Sequence, residues 1–210
     1  MRKDNLANGA TGVRSAPARR SARRAEITAR AARMFHQQGY AATSMQQIAD
    51  AVGISKATLY YYVKSKDDLL FVILEEVNLA GEAIIAEVIA MPVSPLRRLA
   101  AYVRGWVRFN VDHLPEVTVF TRDSNQLERR RLRVIEAGRD RRFEFVTQLV
   151  RTAQAEGEVG PDADPDAVAH VTLGLVGYMH TWYRPHEGAG AVELSDLMAS
   201  MVIGGLSPRD

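Results

Sequence analysis

Apolar residues recur at helical spacing almost from end to end of this chain, and no apolar/polar alternation runs long enough to make a confident strand. An all-α fold follows. The punctuation is equally plain: Gly39, Gly53, "MPVSP" at 91–95, "HLPE" at 113–116, "EGEVGPDADPD" at 156–166 and "RPHEGAGA" at 184–191 interrupt the pattern. A first helix from about Ser21 to Gln38 turns Ile27, Ala31, Met34 and Phe35 to one face, with Gly39 where a left-handed cap is needed. Thr43, with Gln46 three residues on, reads as a capping box for a short second helix whose inward face is Ile48, Ala49 and Val52. Ser55 caps a third helix carrying Leu59 and Val63. Ser65 with Asp68 starts a long fourth, striped by Leu70, Ile73, Leu74, Val77, Ile84 and Val88.

The second half continues the pattern. Ser94-Pro95 opens a fifth helix to about Val111. A short segment with Val117, Val119 and Phe120 follows, then a helix over about 126–156. Asp164-Pro165-Asp166 caps a helix apolar nearly all round as far as Tyr183, and the last helix sets Leu194, Leu197, Met198, Met201 and Val202 in one apolar seam.

Charge divides the chain where the pattern does. Residues 1–66 carry 12 Lys and Arg against 3 Asp and Glu, whereas residues 67–210 carry 15 against 22, behind a net charge of only +2. A basic front on an acidic body is the footprint of a polyanion-binding head attached to a domain with another task. The organisation expected is a disordered basic arm over 1–18, a DNA-binding domain over 19–66 and an effector-binding and dimerisation domain over 67–210. With no cysteine there is no disulfide framework and no thiolate metal site or nucleophile, and a reducing cytoplasm fits best. The arginines near the N-terminus have no apolar segment behind them, so they do not form an export signal. The longest stretch free of formal charge, Ala167 to Tyr183, is too short for a membrane span.

Two short helices joined at Gly53-Ile54 match the helix-turn-helix, whose second helix enters the major groove with its N-terminal residues at the base edges. Lys56 there can bond guanine O6 and N7, Thr58 can donate to a base or meet a thymine methyl, and Ser55 caps the helix end facing the groove. Tyr60, Tyr61 and Tyr62 point about 100° apart on a helix and cannot all be buried, so at least one offers its hydroxyl to a phosphate. Thr43 and Lys66 each stand at a helix start, where free N–H groups favour phosphate.

Thr43-Ser44, Ile48-Ala49, Gly53-Ile54-Ser55, Thr58-Leu59-Tyr60 and Ser65-Lys66 with Leu69, preceded by Phe35 and Gly39-Tyr40, resemble the DNA-binding part of the TetR family of bacterial transcriptional regulators. Val63 departs from the common Phe. The resemblance implies a three-helix DNA-binding domain, an all-helical effector domain and a two-fold dimer formed by the last two helices. It implies DNA contacts by Thr43, Ser44, Ser55, Lys56, Ala57, Thr58, Tyr60, Tyr61 and Lys66. "FTRDSNQL" at 120–127, "TWYRP" at 181–185 and "MVIGGL" at 201–206 resemble the branch that controls fatty-acid and sterol breakdown, whose members commonly answer to CoA thioesters.

In the body, Trp106, Phe109, His113, Phe120, Phe143, Met179 and Tyr183 could line an apolar effector cavity, and each reads equally well as ordinary core. Arg122, Arg129 and Arg184 are candidates to meet CoA phosphates. The cluster "ERRRLR" with Arg139, Arg141 and Arg142 could meet a polyphosphate, but four of the arginines fall into i,i+3 pairs with carboxylates, Glu128/Arg131, Arg133/Glu136, Glu136/Arg139 and Arg141/Glu144, which predicts a solvated, self-compensated face. Gly174 and Gly177 with Leu194, Leu197, Met198, Met201 and Val202 make the candidate dimer interface. "DADPD" lacks the Gly and Glu of a calcium loop, the histidines share no metal spacing, and no nucleophile elbow or phosphate loop is present, so neither cofactor, metal nor enzyme is expected. The expected partners are a double-stranded operator, a small-molecule effector and a second copy of the chain. A non-specific architectural DNA-binding protein is the alternative, against which the large acidic body argues.

Overall fold

The computed structural model describes residues 16–184 and 190–206. Among the described residues the regular elements are helical: α1 (Ala16–Gln38), α2 (Met45–Ala51), α3 (Lys56–Tyr62), α4 (Lys66–Ala90), α5 (Pro95–Asp112), α6 (Leu114–Asp123), α7 (Arg129–Ala155), α8 (Pro165–Gly177), α9 (Met179–Trp182) and α10 (Ala191–Gly204), with a 3₁₀ turn at Ser124–Gln126 before α7. Most of the basic arm, and most of the loop after Arg184, lie outside the described residues.

α1, α2 and α3 pack into a head around Ile27, Ala31, Phe35, Ile48 and Leu59, all fully buried. Gly39 and Gly53 have φ of 89° and 69°, the left-handed region in which only glycine is unstrained, and so end α1 and the α2 turn where the sequence places them. α4 leaves the head and enters the body, where α5 and α7 pack on it, α8 on α7 and α10 on α5. Its stripe of Leu70, Ile73, Leu74 and Val77 is buried along both, so head and body share one continuous core.

Four expectations are corrected. α1 begins at Ala16 rather than Ser21, so residues 16–18 belong to a helix and not to the arm; Pro17 is compatible with a first turn, where its missing N–H costs nothing. The second helix is capped by Ser44, not Thr43: Ser44 Oγ accepts from Gln47 N at 3.2 Å, and Gln47 Oε1 accepts from Ser44 N at 2.7 Å. "HLPE" does not separate the fifth helix from a short segment: Leu114, Pro115 and Glu116 form the first turn of a full ten-residue helix that contains Val117, Val119 and Phe120. The apolar helix ending at Tyr183 is two helices, broken at Tyr178.

Candidate nucleic-acid interface and ligand cavity

The reading helix α3 presents the face the sequence predicts. Ser55, Lys56, Ala57 and Thr58 are exposed at its start, and Ser55 Oγ accepts from Thr58 N at 3.1 Å while lying 2.8 Å from Thr58 Oγ1. Leu59 is buried beneath them and anchors the helix. The tyrosines divide as geometry requires: Tyr60 is 46% exposed and Tyr61 63%, whereas Tyr62 is half-buried and packs edge-on against Tyr61. Beside them the start of α1 adds cations that motif reading had not assigned. Arg20 lies 4.8 Å over the Tyr61 ring, and with Arg24, Tyr61 and Tyr62 it borders a cleft. Ser44 is exposed at the start of α2.

Thr43 and Lys66 are placed differently. Thr43 is buried; its hydroxyl donates to Gly39 O at 2.8 Å and accepts from Gln38 Nε2 at 3.1 Å, so it shapes the α1–α2 loop. Lys66 Nζ donates to the carbonyls of Tyr40 and Thr43 at 3.0 Å and of Ala41 at 3.4 Å, and it sits 4.3 Å over the Tyr40 ring. Its charge is spent on holding that loop to the start of α4. Both side chains thus hold the α1–α2 loop in place.

Two arginines tie head to body. Arg122 of α6 donates to the carbonyls of Phe35 and His36 at the end of α1 and is itself held by Asp123 at 2.8 Å. Arg131 of α7 bridges Asp67 at 2.7 Å and Asp68 at 3.0 Å in the first turn of α4. The self-compensation of the α7 face is thus overturned: Arg131, Arg139 and Arg141 pair across helices, with α4, with the end of α6 and with Glu82 respectively. Arg131 and Arg139 are partly buried against those neighbours, whereas Arg133, Glu136, Arg141 and Glu144 stay exposed to solvent, as the sequence predicts. Arg122 is likewise committed to α1.

Behind α6 lies a cavity of about 320 Å³, lined by Val77 of α4, Trp106 and Asn110 of α5, Val117, Phe120 and Thr121 of α6, Arg139 and Arg142 of α7, and Leu173, Val176 and Gly177 of α8. Of the predicted lining, Trp106 and Phe120 are there. Phe109 and His113 form the next i,i+4 pair round α5 and stack on each other at 4.5 Å. Phe143 meets His170 at a separate shallow hollow, Met179 is fully buried core, and Tyr183 packs beside Trp182. None of these five lines the cavity. Arg142, which the sequence reading counted with a solvated arginine face, is instead buried and lines the cavity. It interrupts the buried stripe Ile135, Gly138, Val146, Leu149 of α7, and an arginine at a core position of such a stripe is a signal the pair counting hid. Burial pushes its pKa down to about 10, which leaves it charged at neutral pH, and lowers that of Arg139.

An exposed helix-turn-helix on a helical body that encloses a cavity defines a DNA-binding regulator, not an enzyme. Residues 27–73 match the profile of bacterial regulatory proteins of the tetR family, and residues 92–206 that of the tetracyclin repressor-like C-terminal domain. The chain belongs to the TetR family. The transcriptional repressor KstR2 of Mycobacterium tuberculosis (strain ATCC 25618 / H37Rv) is 24% identical over 188 residues, covering 89% of this chain and 94% of the relative. The transcriptional regulator HbdR of Aromatoleum sp. (strain CIB) is 28% identical over 165 residues, 78% of this chain and 70% of its own. Among solved structures, the ketosteroid regulator KstR2 of M. tuberculosis matches with a TM-score of 0.84 at 24% identity over 89% of this chain and 96% of its own. AibR in complex with isovaleryl coenzyme A and operator DNA matches with a TM-score of 0.77 at 28% identity over 85% and 97%. No described helix is long and apolar enough to cross a membrane.

Proposed function

We propose that this regulator is a homodimeric repressor, released from a two-fold operator by a small acyl-CoA-type effector that enters the cavity behind α6. The observation that carries the reading is the position of α6. Its Phe120 and Thr121 line the cavity, and the next residue, Arg122, grips the last turn of α1. A ligand that displaces α6 therefore displaces the head. Coupling of this kind typically amounts to about 1–3 kcal/mol, enough to change operator occupancy many-fold.

The similarity to a structure holding isovaleryl coenzyme A together with operator DNA supports the choice of effector class. The dimer reading is supported by α8, α9, α10 and the break at Tyr178, which expose the large apolar side chains Val171, Tyr178, Trp182, Val192, Leu197 and Met201. Gly174 is exposed and has nothing within 4 Å of where a Cβ would stand, so a second helix can approach closely there, whereas Gly177 borders the ligand cavity. Leu194 and Met198 do not belong to that face: both are buried within the chain, in the helix that packs on α5. The test is a titration of the operator complex with an acyl-CoA series, the free acids and CoA. Release by thioesters alone supports the reading; release by free acids alone, or by none, removes the acyl-CoA part of it.

A further inference from the structure

Arg142 is 6% exposed. Among the described residues its hydrogen-bond partner is the neutral Asn78 Oδ1 at 2.8 Å, and none of the ion pairs reaches it. Its α7 neighbours Arg131 and Arg141 both have carboxylates. A buried cation without a counter-charge is costly, and proteins ordinarily supply one. Here the empty space beside it does not: the cavity lining holds two arginines and no Asp or Glu.

A second observation comes from Trp106, also buried, whose Nε1–H makes no well-formed hydrogen bond; the acceptor it has within the protein is the buried Tyr102 hydroxyl, itself without a formed partner. The Arg142 guanidinium lies 5.4 Å from the Trp106 ring, over its face, and 5.4 Å from Phe120. This arrangement is built. A Cβ on Gly81 of α4 would stand 2.8 Å from Trp106 Cζ2 and 3.2 Å from Arg142 Cδ and Nη1, so the glycine is what admits both side chains at once. The result is a fork of guanidinium donors and one indole donor at a cavity whose other polar lining is Asn110, Thr121 and Arg139, with no carboxylate to balance the charge.

We propose that this cavity is specific for a ligand bearing a carboxylate, which accepts from the Arg142 guanidinium and Trp106 Nε1 while the apolar remainder lies against Val117, Phe120 and Val176. The inference rests on the reading that this cavity is the effector site. Two sources carry the required chemistry: a free organic acid, or an acyl-CoA whose acyl chain ends in a second carboxylate. The latter places the anion inside and the nucleotide outside, and it would be a product of reactions that open rings or activate diacids.

The test uses the full chain and two matched pairs, adipoyl-CoA against hexanoyl-CoA and cyclohexanecarboxylate against cyclohexanecarboxamide, with calorimetric affinity and operator release as readouts. The carboxylate member of at least one pair should bind about tenfold tighter or more, as a charge-assisted bidentate contact requires. Arg142→Met should abolish that preference while leaving the unfolding midpoint unchanged or raised, since it removes an unpaired buried charge. Arg142→Lys, which keeps the charge but not the fork, should retain a weaker preference and serves if the Met variant fails to fold. Equal binding within both pairs, binding by no probe, or a preference that survives Arg142→Met overturns the proposal. Operator release by hexanoyl-CoA and adipoyl-CoA alike would overturn the carboxylate and leave acyl-CoA control standing. Release by cyclohexanecarboxylate with no response to either thioester would do the reverse.

Discussion

Lys66 and Lys56 are the same residue type ten positions apart, yet their surroundings assign them opposite work. Lys56 points into solvent from the start of the reading helix, whereas the Lys66 ammonium is shared among three backbone carbonyls. Lys56→Ala should therefore leave stability within about 0.5 kcal/mol and cost about 1–3 kcal/mol on the cognate operator alone. Lys66→Ala should instead lower stability by about 1–2 kcal/mol, because charge-assisted bonds to the loop are lost. Urea unfolding beside operator titration separates them, and an unchanged unfolding midpoint for Lys66→Ala would contradict its structural role. His36 gives a pH signature at the same scale. Its Nδ1 is buried without a partner, and burial first, then Arg122, holds its pKa below the ordinary 6.5, with His180 acting in the same direction and Glu116 opposing. The folded state thus favours the neutral ring. As pH falls through 6.5 the unfolded chain binds the proton first, so stability present above that value is lost on acidification. His36→Gln should flatten that fall in the unfolding midpoint; a fall as steep as in the parent would place its origin elsewhere.

At the scale of elements, α6 and α7 decide how the head sits on the body. α6 holds the end of α1 through Arg122, and α7 holds the start of α4 through Arg131, with Arg139 donating to Phe120 O and Ser124 Oγ at the end of α6. The Arg131 pairs are partly buried, with side-chain exposures of 29%, 20% and 15% for Arg131, Asp67 and Asp68, and two carboxylates share one guanidinium. Arg131→Ala should cost about 1–3 kcal/mol in unfolding free energy, much of it from the stranded carboxylates. Arg122 is more exposed, so Arg122→Ala should cost less, about 1 kcal/mol or below, but it should uncouple the sites. Its operator affinity in the absence of ligand should change little while ligand-induced release is blunted. Full release by an effector in that variant would move the coupling route to α4.

For the whole molecule the informative surface is the one the monomer leaves bare. Leu197 is 54% exposed and Met201 61%, beside a groove of about 380 Å³ between α8 and α10 lined by Val168, Val171, Leu175, Met201, Val202 and Leu206. Leu197→Glu with Met201→Glu should give monomers by sedimentation velocity, with operator affinity falling because two half-sites no longer act together. Because neither side chain supports the core, the unfolding cooperativity of the monomer should persist. Dimers that survive both changes would place the interface on another face.

Much of this molecule is legible in one dimension. The all-helical class, the turns at Gly39 and Gly53 and the exposed face of α3 follow from spacing and backbone stereochemistry, which are local and need no neighbour. Helix geometry requires that Tyr60, Tyr61 and Tyr62 not all be buried, and the family resemblance singles out Tyr60 and Tyr61, the two the structure exposes. What only packing decides is which of several available partners a side chain takes. Arg131, Arg139 and Arg141 have carboxylates a turn away and choose partners on other helices. In α10, Ser195 and Ala199 are fully buried; their small size allows α5 to come close on the 194/195/198/199 face, which rotates Leu197 and Met201 outward and splits the expected seam in two. The cavity belongs to the same class, since Val77, Trp106, Phe120, Arg142 and Val176 come from five helices and share no sequence pattern. Local geometry fixed the helices, whereas the face that α10 buries and the contents of the ligand site depend on how the helices meet.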